Sequence, residues 1–273
     1  MNTSILGLLA ETAIHPGAGT DTGFVDLPVA REAATDYPVI VGSSFKGALL
    51  DLARNGNFAI ECDRVFGQQE NAGALIVSDV RLLLLPVRSM TGHYKWVTCP
   101  HLIERYRRDR QRANFGEAPA IDTGGLGEGQ YLGIEESQEM LFLEERQFTR
   151  AGKLPEKLTS LLQPLIRHEL TGARLPEQVV ILYDNDFIWF ARFGLVVNAR
   201  NVLDDAKKTS KNLWYEETIP PDSLFYCLLA ERGDHDAVSQ ALGVFKNRPY
   251  IQVGGNATIG QGWFVINTIN RES

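Results

Sequence analysis

The stretch HPGAGTDTGFVDLPVARE (15–32) puts His15, Asp21 and Asp26 in or beside a loop that carries three glycines. A carboxylate on such a loop suits Mg²⁺, which keeps several of its waters and needs only one or two protein carboxylates. A histidine close by can exchange protons near neutral pH. On residue types alone the simpler account is that these aspartates cap turns. GSSFKG (42–47) opens a helix, and a helix start offers free N–H groups and a partial positive charge to a phosphate. Ser43, Ser44 and Lys46 would add donors in the same turn, although spacing alone favours plain capping. NLWYEETIPPDSLFY (212–226) carries Tyr215 and the adjacent Glu216 and Glu217, which are either ligands or an exposed strand end. Neighbours on a strand face opposite sides, so at most one of the two glutamates enters a given site. QVGGNATIGQGW (252–263), with Gly254, Gly255 and Asn256, is the nearest thing to a phosphate-binding loop, though its four glycines by themselves mean turns.

Several common chemistries have no motif here. The chain lacks GxGxxG after a strand, GxxxxGK[ST], HExxH and GxSxG. Its three cysteines are isolated, which argues against a disulfide framework and a zinc site.

The elements that must hold these groups follow from periodicity. Ser4 to Ile14 reads as an opening strand, and VGSSFKGALLDLARNG as a helix capped by Ser43 or Ser44 and stopped at Asn55 and Gly56. LIVSDVRLLLLPV (75–87) reads as one strand ending at Pro86. Pro100 opens a helix with its arginines mostly on the wet face, and 114–137 reads as a long loop. Pro164 should split the helix signal of EKLTSLLQPLIRHEL. Strands are expected at 178–183, 194–199 and 223–230, a helix near 236–246, and a closing strand pair around IQVGG and WFVINTI. This order favours an α+β fold, and the chain shows no repeat or linker that would divide it.

The formal charge of −7 disguises an uneven distribution. From Arg81 to Arg112 there are eight Lys or Arg and two acids, and from Ala113 to Glu145 eight acids and no base. Either the segments pair with each other, or they form a basic groove with an acidic back. Lys207, Lys208 and Lys211 form a second basic cluster. No apolar run approaches the roughly 20 residues needed to span a bilayer, and no signal-peptide pattern opens the chain. The expected location is the cytoplasm, with no membrane partner.

Taken in order, HPGAGTDTGFVDLPVARE, VGSSFKGALLDLAR, VSDVRLLLLPVRSMTGHYKWVTCPHLIERYRRD, VVNARNVLDDAKKTSKNLWYEETIPPDSLFY and IQVGGNATIGQGWF resemble the RAMP superfamily. Within it they are similar to the repeated backbone subunit of CRISPR type III-B (Cmr) effector complexes. The resemblance implies a single domain over 1–273, with a ferredoxin-like (RRM-like) core carrying helical and β-hairpin insertions, described as palm, fingers and thumb. The thumb is expected in the 114–137 loop or the strands near 171–195. It implies a helical filament of copies along one CRISPR guide RNA, with other Cmr-complex subunits and a complementary target RNA as partners. The implied activity is a metal-dependent endoribonuclease, in which the RNA's 2′-OH attacks and leaves a 2′,3′-cyclic phosphate and a 5′-OH. Asp26, in the loop before Leu27 and Pro28, matches the family's aspartate and would hold Mg²⁺ or another divalent cation. His15, Tyr215, Glu216 and Glu217 match other residues near that site. Ser43, Ser44, Lys46, Arg54, Arg88, Lys207, Lys208, Gly254, Gly255 and Asn256 are the expected RNA contacts. A non-catalytic RNA-binding scaffold is the main rival. A metal-independent guide-processing endonuclease and an enzyme acting on small molecules are more distant ones.

Overall fold

The computed structural model describes residues 2–20, 23–56, 58, 60–134, 138–203, 210–233 and 236–269. Strand Thr3–Ala10 is buried at every position after its first, as its unbroken apolar run requires of a central strand. It pairs antiparallel with Leu224–Glu231 on one side and with Trp263–Ile269 on the other. Leu224–Glu231 in turn pairs antiparallel with Val80–Arg88. Helix Gly42–Asn55 lies between the first and second of these strands in the chain, and helix Ala237–Gly243 between the third and fourth. The connectivity is therefore βαββαβ with sheet order fourth, first, third, second, which is the ferredoxin-like arrangement. The expected α+β class and ferredoxin-like core agree with it.

Apolar spacing explains how the first helix docks. Phe45 and Leu49 are fully buried and Ala53 nearly so, at i, i+4 and i+8. Gly56 then ends the helix with its N–H on the Leu52 carbonyl.

A long insertion between the second and third core strands extends the sheet. Val80–Arg88 pairs onward with Tyr94–Thr98, and the sheet continues through Val179–Leu182, Gln130–Gly133, Arg146–Lys153 and Met140–Leu143. Hairpin strands Val196–Leu203 and Ser210–Thr218 leave this sheet and form a two-stranded sheet of their own, whose second strand is also bridged by Leu27. Lys207, Lys208 and Asp21 lie outside the described residues.

Several expectations need correction. The 75–87 run is two strands, Leu75–Val77 and Val80–Arg88, because Ser78 and Asp79 break it. Pro86 sits inside the second strand rather than ending it. The pairing with Leu224–Glu231 reaches only to Leu84, so among the described residues Pro86 has a paired strand on one flank only, where a missing donor is tolerated. Strand Gln130–Gly133 lies inside the expected 114–137 loop, whose Ala118 and Leu126 are buried. The 171–195 region holds one main-sheet strand, Val179–Leu182, and the helix Asp184–Phe193. Neither place supplies the projecting hairpin. Pro164 does split its helix, into Glu156–Leu162 and a 3₁₀ turn Gln163–Leu165.

The cysteines form no disulfide. Burial pushes the Cys99 and Cys227 thiols well above the ordinary range, while Cys62 is only half-buried. In the native protein an Ellman titration should count one reactive thiol, and all three after denaturation. Two or more under native conditions would contradict this packing.

Candidate functional site

The second hairpin strand, Ser210–Thr218, has one edge paired with Val196–Leu203 and one edge facing the core strands' loops. An uncovered edge invites pairing, and here the 24–29 segment and His15 cover it. Leu27 donates its N–H to the Tyr215 carbonyl at 3.0 Å and accepts the Glu217 N–H at 3.0 Å. Beside that pairing, the Asp26 carboxylate accepts the Tyr215 N–H through Oδ2 at 2.7 Å. His15 Nδ1 meets the Glu217 carbonyl at 2.8 Å. A carbonyl only accepts, so the Nδ1 position carries the proton and Nε2 is the ring nitrogen left for chemistry. Asp26 and His15 are thus fixed to one strand edge at attachment points two residues apart, about 7 Å along a strand.

His15 is 8% exposed, and two glycines approach its ring. A Cβ on Gly17 would sit 3.1 Å from Nε2, and one on Gly255 would sit 3.2 Å from Cδ2. The Gly254–Gly262 loop is anchored to this residue, with the Gly255 N–H on the His15 carbonyl at 2.9 Å. Gly254 and Gly262 have φ of +88° and +89°, so the loop needs glycine there for its path as well as its closeness.

The two glutamates do face opposite ways, but both are buried, at 3% and 6% exposure, and so are not an exposed strand end. Glu216 lies 3.4 Å from Arg200 Nε, accepts an amide hydrogen bond from Asn256 Nδ2, and is 3.9 Å from His15 Nδ1. The last distance is too long for a hydrogen bond, and Nδ1 is committed to the Glu217 carbonyl. Glu217 spends both oxygens within the protein, on the Val29 N–H at 3.0 Å and Arg31 Nη2 at 2.7 Å. The Tyr215 ring is exposed and only its backbone is engaged with the Asp26 loop. Phe24 is fully exposed just before Asp26.

Among the described residues no three His, Cys, Asp or Glu side chains gather as a metal-ligand set. Asp26 fits a more modest role, because one carboxylate oxygen is held by a backbone N–H and a hydrated Mg²⁺ requires little more than one such group.

The expected RNA contacts are scattered. Val41, not Ser43 or Ser44, is the N-cap residue of the Gly42–Asn55 helix, and no side chain caps it from that position. Asp79 Oδ1 instead accepts the Gly42 N–H at 2.7 Å, which leaves the exposed Ser43 and Ser44 hydroxyls uninvolved in capping. A Cβ at Gly42 would lie 2.9 Å from the carbonyl oxygens of Val77 and Ser78, so glycine lets the helix start approach that turn. Lys46 leans away onto the Leu75 carbonyl at 3.0 Å, and burial first, then Arg232, lowers its pKa. Arg54 is eight residues beyond Lys46 on the same helix, about 12 Å away at 1.5 Å per residue. Arg88 is exposed and paired with Glu144 at 2.7 Å.

The Arg81–Arg112 stretch is not a free basic groove. Arg81 and Arg112 pair with Asp109, Arg105 with Glu32 and Arg108 with Glu104. Arg105 is buried, against the expectation of a wet face. Only the Arg88–Glu144 pair links the basic segment to the acidic one among these. Arg200 and Arg31 complete the site without any local sequence signal. Arg31 stood five residues after Asp26 in the same motif, and nothing local marked its partner.

The RAMP superfamily model matches residues 8–265. The chain is 30% identical to the CRISPR system Cmr endoribonuclease Cmr4 of Pyrococcus furiosus, over 96% of this chain and 94% of that protein. It is 25% identical to the CRISPR system CMR subunit Cmr4 of Saccharolobus solfataricus, again over 96% and 94%. Oligomeric Cmr4 from Pyrococcus furiosus superposes with a TM-score of 0.79 at 24% identity, covering all of both chains. A chain of the type III-B Cmr-beta complex bound to cognate target RNA gives 0.77 at 20% identity, covering 97% of this chain and 96% of that one. At these identities the two structures speak for a shared fold.

Proposed function

The chain belongs to the RAMP superfamily, and from that premise we propose that it is a backbone subunit of a type III-B CRISPR effector complex that cuts target RNA. The observation that carries this reading is the Asp26 carboxylate, presented on a loop and held at the Tyr215 N–H beside His15, in a chain related to a named endoribonuclease. Guide RNA, complementary target RNA, further copies of this chain in a filament and other Cmr-complex subunits are its proposed partners, and its proposed location is the cytoplasm. No described helix is long and apolar enough to cross a membrane. The hairpin of Val196–Leu203 and Ser210–Thr218 is the proposed thumb, which would separate stacked nucleotides.

Cleavage by the RNA's own 2′-OH forms a bond from that oxygen to phosphorus and breaks the bond to the 5′-oxygen. The 2′-proton leaves, a proton reaches the 5′-oxygen, and the products are a 2′,3′-cyclic phosphate and a 5′-OH. Stacked A-form RNA does not align these atoms, so splaying one nucleotide supplies much of the rate. His15 Nε2 is the ring nitrogen available to take or return a proton, and Asp26 is oriented by the hairpin backbone. Magnesium or another divalent cation, held by Asp26 when bound, would supply positive charge against the phosphate. Ser43 and Ser44, at the start of a fourteen-residue helix, remain the proposed grip on the guide's phosphates.

A labelled complementary RNA added to the assembled complex with Mg²⁺ tests the reading. Regularly spaced fragments that disappear with EDTA are expected. Target retained uncut would favour the scaffold instead, and cutting of the guide itself in EDTA would favour a processing enzyme.

A further inference from the structure

We propose that Arg31 is a positioning residue for the Asp26 loop, clamping it to the hairpin through Glu217; this rests on the reading of Asp26 given above. The guanidinium makes three hydrogen bonds. Nη1 donates to the Asp36 carbonyl at 2.8 Å and the Ala191 carbonyl at 2.6 Å, and Nη2 to Glu217 Oε1 at 2.7 Å. Those acceptors belong to three separate parts of the chain, which are the loop itself, the end of the Asp184–Phe193 helix and the hairpin. A planar fork with fixed donor directions sets their mutual geometry in a way a lysine ammonium does not.

Glu217 completes the clamp. Its second oxygen accepts the Val29 N–H at 3.0 Å, so one buried carboxylate grips the segment at residues 29 and 31. The same strand grips it two residues earlier in its own sequence, where Tyr215 holds Leu27 and the Asp26 carboxylate. The outer side of the segment is tied as well, by the Ala30 N–H on the Pro16 carbonyl at 2.6 Å and the Val39 N–H on the Ala30 carbonyl at 3.0 Å. Asp26 is therefore placed by a short span with a backbone pairing at its centre and an ion pair at its downstream end. Among the described residues, Arg31 is the one cation paired with Glu217. Without it the carboxylate is buried at 6% exposure with a single N–H for company. A buried charge in that state draws in water or shifts its backbone partner. The partner is Val29, three residues from Asp26.

The test compares wild type, Arg31→Met, Arg31→Lys, Glu217→Gln and the double variant Arg31→Met/Glu217→Gln in the assembled complex. Single-turnover cutting and target affinity are read separately. Arg31→Met should cut about 10²-fold more slowly, the scale of a 1 Å misplacement, with target affinity close to wild type and a lowered melting temperature that the double variant restores, because the single change strands the Glu217 charge. Arg31→Lys should recover only part. The double variant should cut faster than Arg31→Met alone, because a neutral amide oxygen still accepts the Val29 N–H with no stranded charge. Wild-type cutting by Arg31→Met would overturn the proposal. So would a joint fall in melting temperature, target affinity and rate that the double variant does not relieve, since that is the behaviour of a merely structural ion pair. Asp26→Asn runs beside them; if it cuts normally, the reading of Asp26 fails, independently of the Arg31 result.

Discussion

Gly7→Ala should leave little folded chain. A Cβ at Gly7 would lie 2.1 Å from the Leu165 carbonyl oxygen, 2.6 Å from its Cα and 2.7 Å from its carbonyl carbon. All three atoms are backbone, so no side-chain rotation relieves the overlap. Neither side can retreat easily. Gly7 sits in the central strand between Tyr226 and Asn267 on the two flanking strands. The 3₁₀ turn Gln163–Leu165 is pinned by the burial of Leu165 and Ile166 and by Asn267 Nδ2 donating to the Pro164 carbonyl at 2.8 Å. Ordinary overpacking costs about 1–3 kcal/mol. A backbone clash in the central strand should exceed about 4 kcal/mol, most of the stability of a domain worth about 5–15 kcal/mol. Soluble yield and the urea midpoint measure it. Gly47→Ala is the control, since nothing lies within 4 Å of a Cβ there and the site is a helix interior. That variant should be neutral or stabilising by up to about 1 kcal/mol. A Gly7→Ala protein melting within a few degrees of wild type would mean the turn packs elsewhere.

The same glycine marks the line between what local sequence tells and what it does not. The run from Ser4 announces a buried strand, and Phe45, Leu49 and Gly56 announce a helix and its end, because burial period and stop signals are local. That Gly7 must be glycine depends on a turn 158 positions later and has no local sign. The hairpin was half legible. Its first strand was expected at 194–199, but VVNARNVL (196–203) alternates weakly, and its partner stretch left two readings open, ligands or an exposed strand end. The helix Asp184–Phe193 was missed because its aromatic and β-branched residues look like strand formers. Its acids in the first turn and the Phe187, Phe190, Ala191 spacing were the signals available.

The site itself followed the same rule. The residue types at positions 15, 26, 216 and 217 were visible, and the opposite facing of the two glutamates followed from strand geometry. What holds them was not visible. Asp26 is oriented by an N–H 189 residues away, and Glu217 is engaged by a guanidinium 186 residues away. Charge bookkeeping failed for a related reason: four of the arginines of 81–112 are paired with Asp109, Glu32 and Glu104, and two of those three carboxylates lie within the basic stretch itself.

The largest functional effect expected is from Asp26→Asn. The substitution keeps size and leaves an oxygen that can still accept the Tyr215 N–H, so loop and hairpin should stay as they are. It removes the negative charge, and with it any hold on a divalent cation and its positive field at the phosphate. Losses of about 10²–10³ are typical when one such electrostatic contribution is deleted from a reacting centre. Because the guide contacts proposed here lie elsewhere, target affinity should be unchanged.

That comparison is also the most direct test of the whole account. Complexes assembled with wild-type or Asp26→Asn chains are given the same end-labelled complementary RNA and Mg²⁺, and bound and cut fractions are measured on the same samples. The account predicts regularly spaced cuts in the wild type, and in the variant equal binding with cutting reduced about 100-fold or more. Equal cutting by both proteins would contradict it and move the chemistry away from this carboxylate.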